Sequence, residues 1–363
     1  MAKPLIQRHA VLSKQVQPDL SIVLITFNRA NLLKECLSKL AEAILKVDEF
    51  QIEVIVADNA SSDETPNICA EWVSKNQAKI PIQIIRHPNN LGAVPSTFKA
   101  MKKATGKYLL FLGDDDGLFS SGLSQLLSQI TSGPSFSIGI EGDFRTLPED
   151  PLYLPYKQLL KEQTKHFATG SMFYKAGNAW AGIYNTDEIV RVFQSNEELS
   201  FDFQVSNWGQ SSLAGLIAST SKLPVAIFGA GFGGNIATRP FAQGGLSIAN
   251  SLSGLVAAGV NLRAKHESGL AFLTSIVATK NSPVNNHLLI LLGTTPREID
   301  AEVTRLVSST RQTFRNLGLR LPIYTKALFA LVCAPWFKLL LTTARARLLK
   351  IDVVASRFNE NHY

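Results

Sequence analysis

The sequence predicts a doubly wound α/β domain built on a mostly parallel sheet. Three observations predict it. Short β-branched runs alternate with helical periodicities over the first 120 residues, each run breaks into polar residues, and the last one ends in three adjacent carboxylates. Ser21, Ile22, Val23, Leu24 and Ile25 form the first run, which ends in Thr26, Phe27, Asn28 and Arg29. Over 31–45, Leu32, Leu33, Cys36, Leu37, Leu40, Ala43 and Ile44 recur at three- and four-residue spacing, the pattern of an amphipathic helix. A second strand over 52–56 breaks into Ala57, Asp58 and Asn59, and a helix follows over 64–74 with Asp63 or Ser62 as its N-cap. The third strand, 80–85, runs into His87-Pro88-Asn89-Asn90-Leu91-Gly92, and a further helix reaches Gly106. The run Tyr108-Leu109-Leu110-Phe111-Leu112 then leads through Gly113 into Asp114, Asp115 and Asp116.

In sheets of this kind ligands bind beyond the carboxyl ends of the strands. Thr26, Asp58, Asn90 and the Asp114–Asp116 triplet all fall at those ends, so one sheet edge collects four polar termini. Three carboxylates side by side repel; each pair within about 4 Å costs roughly 1 kcal/mol even in water. Such a triplet is either a solvated acidic turn or the seat of a divalent cation, and oxygen-only ligands suit Mg²⁺ or Mn²⁺ better than Zn²⁺.

In these residues the chain resembles the family 2 glycosyltransferases, which have the nucleotide-sugar-binding GT-A fold. The family's opening appears as Ile25-Thr26-Phe27-Asn28, and its next motif as Asp58-Asn59-Ala60-Ser61-Ser62-Asp63-Glu64-Thr65. Asn90-Leu91-Gly92, Ala104-Thr105-Gly106 and the carboxylate signature follow in the family's order and spacing. In Asp58-Asn59, Asn90-Leu91-Gly92 and Leu112-Gly113-Asp114-Asp115-Asp116 the chain resembles bacterial surface-polysaccharide members, including abequosyltransferase-like enzymes. The resemblance implies that Asp58 accepts from a uracil- or thymine-type base, with Thr26 lining the same pocket. It further implies that Asn28, Asn90 and Asp114 contact the nucleotide sugar, and that Asp115 and Asp116 hold Mg²⁺ or Mn²⁺. Two departures stand out. Gly113 occupies the position of the family's first carboxylate, which leaves open which Asp meets the ribose. Thr97-Phe98 replace an Arg-Asn pair, with Lys99 or Lys102 as the nearest basic residues.

The family's inverting mechanism needs a carboxylate to deprotonate the acceptor hydroxyl. Relatives carry it on a Glu-Asp pair about 80 to 90 residues beyond the metal motif. Here that window holds Glu197-Glu198-Leu199-Ser200-Phe201-Asp202, which makes Asp202 the first candidate and Glu198 the second, unless both are solvated helix-end carboxylates. A strand is expected over 135–140, and 147–182 reads as irregular, rich in proline and aromatics suited either to sugar recognition or to packing. Gly229-Ala230-Gly231-Phe232-Gly233-Gly234 satisfies a dinucleotide fingerprint in form only. Pro240 discourages the helix it needs, and no Asp or Glu occurs before Glu267. A Gly-rich loop over the active site, or a tight connection, is the expectation instead.

Of 363 residues, 1–240 are expected to form the GT-A domain, with a donor half over about 18–120 and an acceptor half over about 121–240. Residues 241–363 form a helical C-terminal region, with helices over 246–273 and 296–317. Cys36, Cys69 and Cys333 show neither paired nor metal-ligand spacing and read as small core residues in a reducing cytosol. The net charge of +7 resides entirely in 301–363, where ten Lys and Arg face three Asp and Glu. No stacking aromatics interleave those charges, so nucleic acid is not the expected partner. An anionic membrane surface is, because 327–343 is largely apolar, carries Trp336 and is flanked by Arg345, Arg347 and Lys350. A helix pair packed on the catalytic domain is the alternative. Residues 1–18 are polar and mixed, with no signal peptide, so the expected location is cytoplasmic and peripheral on the inner face of the membrane. The function expected is metal-dependent transfer of a sugar, from a uridine- or thymidine-diphosphate donor to a lipid-linked or polysaccharide glycan. A non-catalytic scaffold relative is the alternative, and a sugar nucleotidyltransferase is disfavoured, because Thr26-Phe27-Asn28-Arg29 is no Gly-rich phosphate loop.

Overall fold

The computed structural model describes residues 16–139, 151–156, 158–159, 181–195, 209–228 and 233–235, with 307–308, 310–312, 315, 320, 325–327 and 329–330. Four parallel strands form its first half: β1 (Leu20–Thr26), β2 (Ile52–Asp58), β3 (Ile82–Arg86) and β4 (Tyr108–Gly113), in the order β3-β2-β1-β4. Ile22, Val23, Leu24, Val54, Val56 and Leu109 to Leu112 are buried, as expected of strands covered on both faces. Helix α1 (Ala30–Leu45) turns Leu33, Cys36, Leu37, Leu40, Ala43 and Ile44 inward, the stripe its sequence predicts. Helix α2 (Thr65–Asn76) is fastened to it by Trp72, whose buried indole N–H donates to the Leu37 carbonyl at 3.0 Å.

Asp63 serves both helices at once. Its Oδ1 accepts from the Thr65 amide and its Oδ2 from the Ala30 amide, each at 3.0 Å, so one carboxylate sits at two helix N-termini. Helix α3 (Ala93–Met101) stops earlier than its sequence suggests. Thr105 and Gly106 are drawn instead to Glu53, whose Oε1 accepts both amides, while the Gly106 amide also donates to Ser21 Oγ at 2.8 Å. That network ties the entry of β4 to β1 and β2.

After the triplet comes β5 (Asp116–Leu118), then α4 (Ser120–Ile130) and β6 (Phe136–Gly139). The region expected to be irregular holds β7 (Leu152–Leu154), set between Pro151 and Pro155, and the start of β8 (Gly182–Asn185). β7 is a three-residue edge strand, where flanking prolines are tolerated but mask the strand pattern. Helices α5 (Thr186–Ser195) and α6 (Gly209–Thr220) lead to β9 (Val225–Phe228) and β10 (Gly233–Asn235). The full sheet runs β3-β2-β1-β4-β8-β6-β9-β7, with β8 antiparallel to both its neighbours and β7 antiparallel to β9. Tyr184 of β8 is fully buried against Phe111 and Phe136, so this aromatic packs the core.

The chain divides into two compact units. One comprises residues 1–141, 147–159 and 175–237, and the other 142–146, 160–174 and 238–363. In the second, Val307, Thr310, Thr325 and Phe329 are buried, with the Arg311 guanidinium 5.7 Å from the Phe329 ring centre. Among the described residues no helix is long and apolar enough to cross a membrane. Asp202, Glu198, the aromatics from Phe167 to Trp180, the helix expected over 246–273 and the apolar tail beyond Ala330 lie outside the described residues.

Candidate active site

Register brings the polar strand ends together. Thr26 pairs with Asp58 across β1 and β2, Asp58 with Arg86 across β2 and β3, and Ile25 with Gly113 across β1 and β4. The triplet therefore begins one residue past the strand beside Thr26. Thr26 Oγ1 donates to Asp114 Oδ2 at 2.9 Å, and Arg29 Nη1 donates to Asp114 Oδ1 at 2.8 Å and to Asp115 Oδ2 at 3.3 Å. All three Asp side chains are buried. Burial pushes the Asp114 carboxyl above the usual carboxylate range, against the hydrogen bonds from Arg29 and Thr26. Burial also works against the charge on Arg29, yet Asp114 and then Asp115 carry its pKa above the ordinary value.

Asp116 is held by the backbone of its own turn. Its Oδ2 accepts the Gly113 amide at 2.9 Å and closes the turn that starts β5. This explains the departure at Gly113. A Cβ there would stand 2.8 Å from Asp116 Oδ2 and 2.9 Å from Asp115 Oδ1, so a side chain at 113 would require these two carboxylates to shift. Cys36 lies beneath, its Sγ 3.5 Å from the Gly113 carbonyl. Burial, then Asp116, Asp114 and Asp115, push its thiol well up, which makes it a core residue rather than a nucleophile.

Asp58 is 1% exposed. Its Oδ1 accepts the Ser61 amide at 2.9 Å; its Oδ2 lies 3.4 Å from Arg86 Nε but has no hydrogen-bond partner. Arg86 itself donates to the Ser61 carbonyl. The carboxylate borders a groove of about 410 Å³ between α2 and the edge strand β3, lined also by Pro66, Cys69, Val73, Ile84 and Arg86. Burial and then Asp58 push the Cys69 thiol up to about 11.

Asn28 and Asn90 hold loops. Asn28, at φ 51°, accepts the Ser62 amide on its Oδ1, while its own amide donates to Ser61 Oγ. Ala60 sits at φ 68°, a conformation that costs an alanine roughly 1 kcal/mol and marks how tightly this turn is bound. Asn90 Oδ1 accepts from Asn59 Nδ2 at 2.8 Å, and Asn59 Oδ1 accepts the Leu91 amide. Sequence reasoning gave no role to Arg29, which adjoins Asn28, to Asn59, which lies within a motif, or to Arg86 at the end of the third strand. It also gave no role to Phe27, which remains 38% exposed at the end of β1.

Among the described residues no set of three His, Cys, Asp or Glu side chains is arranged to hold a metal ion by itself. Asp114 and Asp115 nevertheless converge on one point, and the atom there is a cationic nitrogen, Arg29 Nη1. Two carboxylates facing one cation, with phosphate and water completing the shell, match the way Mg²⁺ and Mn²⁺ are bound beside nucleotides.

A mostly parallel sheet with polar groups gathered beyond its carboxyl edge is the arrangement in which open α/β domains bind ligands. Residues 21–179 match the family model described as Glycosyl transferase family 2. It is 30% identical over 122 residues to the GalNAc(5)-diNAcBac-PP-undecaprenol beta-1,3-glucosyltransferase of Campylobacter jejuni, covering 34% of this chain and 38% of that protein. It is 31% identical over 115 residues to the abequosyltransferase RfbV of Salmonella typhimurium, covering 31% of this chain and 33% of that protein. The chain thus spans only 33–38% of the length of these two relatives. The fold is that of S. aureus TarS (residues 1–349), with a TM-score of 0.52 at 16% identity over 90% of this chain and 87% of that one.

Proposed function

We propose that the protein is a metal-dependent, inverting glycosyltransferase. It moves a sugar from a uridine- or thymidine-diphosphate donor to a lipid-linked or polysaccharide acceptor in bacterial surface-glycan synthesis. The observation that carries this reading is the sheet edge itself: Thr26, Asp58 and the Asp114–Asp116 triplet stand together at the ends of three adjacent strands. The buried Asp58 Oδ2 faces Arg86 Nε at 3.4 Å but accepts no hydrogen bond, and the imide N–H of uracil or thymine would supply one. Exposed Phe27 offers an aromatic face for the base. Asp114 and Asp115 would hold the metal; a bound Mg²⁺ or Mn²⁺ supplies Lewis-acid stabilisation of the leaving diphosphate. Asp116, turned toward Gly113, shapes the turn that presents the other two.

Asp202 is the proposed base and Glu198 its alternative. Asp202→Asn should lower turnover by a factor of about 100 or more with donor affinity nearly unchanged. Loss in Glu198→Gln alone transfers the role to Glu198; loss in neither removes this segment from the mechanism. Two relatives act, by their names, on an undecaprenol-linked glycan or as an abequosyltransferase, which supports a surface-glycan acceptor. The reading is tested by thermal shift with uridine, thymidine, guanosine and adenosine diphosphate sugars, with and without Mn²⁺. It expects stabilisation by a pyrimidine donor that is larger with Mn²⁺. A purine-only response, or none to any donor, contradicts it.

A further inference from the structure

The cation already seated between Asp114 and Asp115 belongs to the protein. Arg29 Nη1 lies 2.8 Å from Asp114 Oδ1 and 3.3 Å from Asp115 Oδ2, so a single nitrogen bridges two carboxylates. A divalent ion bound by the same two oxygens would need the same position. The two cations cannot share it, since both volume and like charge forbid it. The ends of the contact differ in freedom. Asp114 and Asp115 are 5% and 10% exposed, and Thr26 also binds Asp114, whereas the Arg29 side chain is 41% exposed. Its backbone is fixed just before α1, where the Arg29 carbonyl accepts the Leu33 amide at 2.9 Å. The carboxylates are therefore the fixed members and the guanidinium the movable one.

We propose that Arg29 is an internal counter-cation that occupies the metal seat until a nucleoside diphosphate arrives. The proposal rests on the metal-dependent reading above. A divalent ion alone must displace a guanidinium from two buried carboxylates and return it to water. With a nucleoside diphosphate present, the displaced guanidinium gains a new anion, and Arg matches phosphate geometry with its planar fork. The exchange makes divalent-cation binding and diphosphate binding mutually dependent, and linkage requires the effect to be equal in both directions. Arg29 is thus a positioning residue that couples two ligands and keeps the adjacent Asp114 and Asp115 carboxylates from standing unneutralised.

The test measures Mn²⁺ binding directly, by the electron paramagnetic resonance signal of free Mn²⁺, in wild type, Arg29→Gln and Arg29→Lys. Each is measured with and without uridine diphosphate. Wild type should bind Mn²⁺ weakly alone and roughly tenfold or more tightly with uridine diphosphate, a coupling of ordinary allosteric size. Arg29→Gln should bind Mn²⁺ more tightly than wild type without nucleotide and lose most of the enhancement. Arg29→Lys, which keeps the charge without the fork, should fall between them and guards against a folding defect in the glutamine variant. Equal Mn²⁺ affinity in all three proteins without nucleotide overturns the counter-cation while leaving a metal-dependent enzyme intact. No Mn²⁺ binding by any of them, with or without uridine diphosphate, overturns the metal reading and this proposal together.

Discussion

Asp58 carries two oxygens with different fates. Oδ1 is held by the Ser61 amide, which fixes the side chain, and Oδ2 is buried without a hydrogen bond. The Arg86 guanidinium 3.4 Å away offsets its charge, but the hydrogen bond it lacks is left for a ligand to supply. Asp58→Asn should therefore weaken pyrimidine nucleotide binding by about 1–3 kcal/mol while leaving Mn²⁺ affinity nearly unchanged, as isothermal titration would show. Equal nucleotide affinity in the variant would reduce Asp58 to a turn residue. Asp58 and the triplet were legible in the sequence because polar residues closing apolar strand runs are conspicuous. Arg29 and Arg86 were not, because a lone arginine beside a motif looks the same whether it faces water or a carboxylate. The roles of Asn28 and Asn90 were also hidden: an asparagine that laces two loops and one that touches a ligand occur at the same positions, and only hydrogen-bond partners separate them.

The pairing of β5 with β10 gives the Gly-rich segment a definite place. Gly233 lies opposite Leu118, Gly234 opposite Gly117 and Asn235 opposite Asp116, so the ladder begins at the last carboxylate of the triplet. A Cβ at 233 would collide with the Gly117 carbonyl, which is why the approach uses glycine. The sequence here is expected to be a Gly-rich loop over the active site or a tight connection; 233–235 form a strand beside the triplet, which accounts for Gly233. Three glycine-rich residues carry no periodicity, so no pattern could announce a strand. Gly233→Ala should lower stability to urea by about 1–3 kcal/mol, the usual cost of forcing atoms into packed space, and reduce donor turnover through Asp116. Unchanged stability and turnover would mean the ladder does not support the triplet. The parallel half of the sheet was far more legible than the second half, because β1, β2 and β4 are buried on both faces and read as largely apolar runs. β7 and β8 are short, pair with strands distant in sequence and follow prolines or aromatics that suggest loops.

Across the whole chain, charge and chemistry separate. The net charge of +7 sits in 301–363, while the carboxylate edge lies in the N-terminal domain. We propose that the basic tail meets the cytoplasmic face of an anionic membrane, where each cation near the surface adds about 1 kcal/mol and a lipid-linked acceptor is presented. Removing the residues after Leu321 should abolish binding to anionic liposomes and spare donor hydrolysis. Full-length protein that ignores such liposomes, or a truncated one that unfolds, would favour helices packed on the enzyme. The central claim is that Asp114 and Asp115 hold a divalent ion that drives departure of the diphosphate. Its most direct test is release of nucleoside diphosphate from the pyrimidine donor identified by thermal shift, with Mn²⁺ or with EDTA, in wild type and Asp115→Ala. The account predicts release only with Mn²⁺ and only in wild type, with the melting temperature of Asp115→Ala unchanged or raised in the absence of nucleotide. Release that survives EDTA, or that persists in Asp115→Ala, would contradict it.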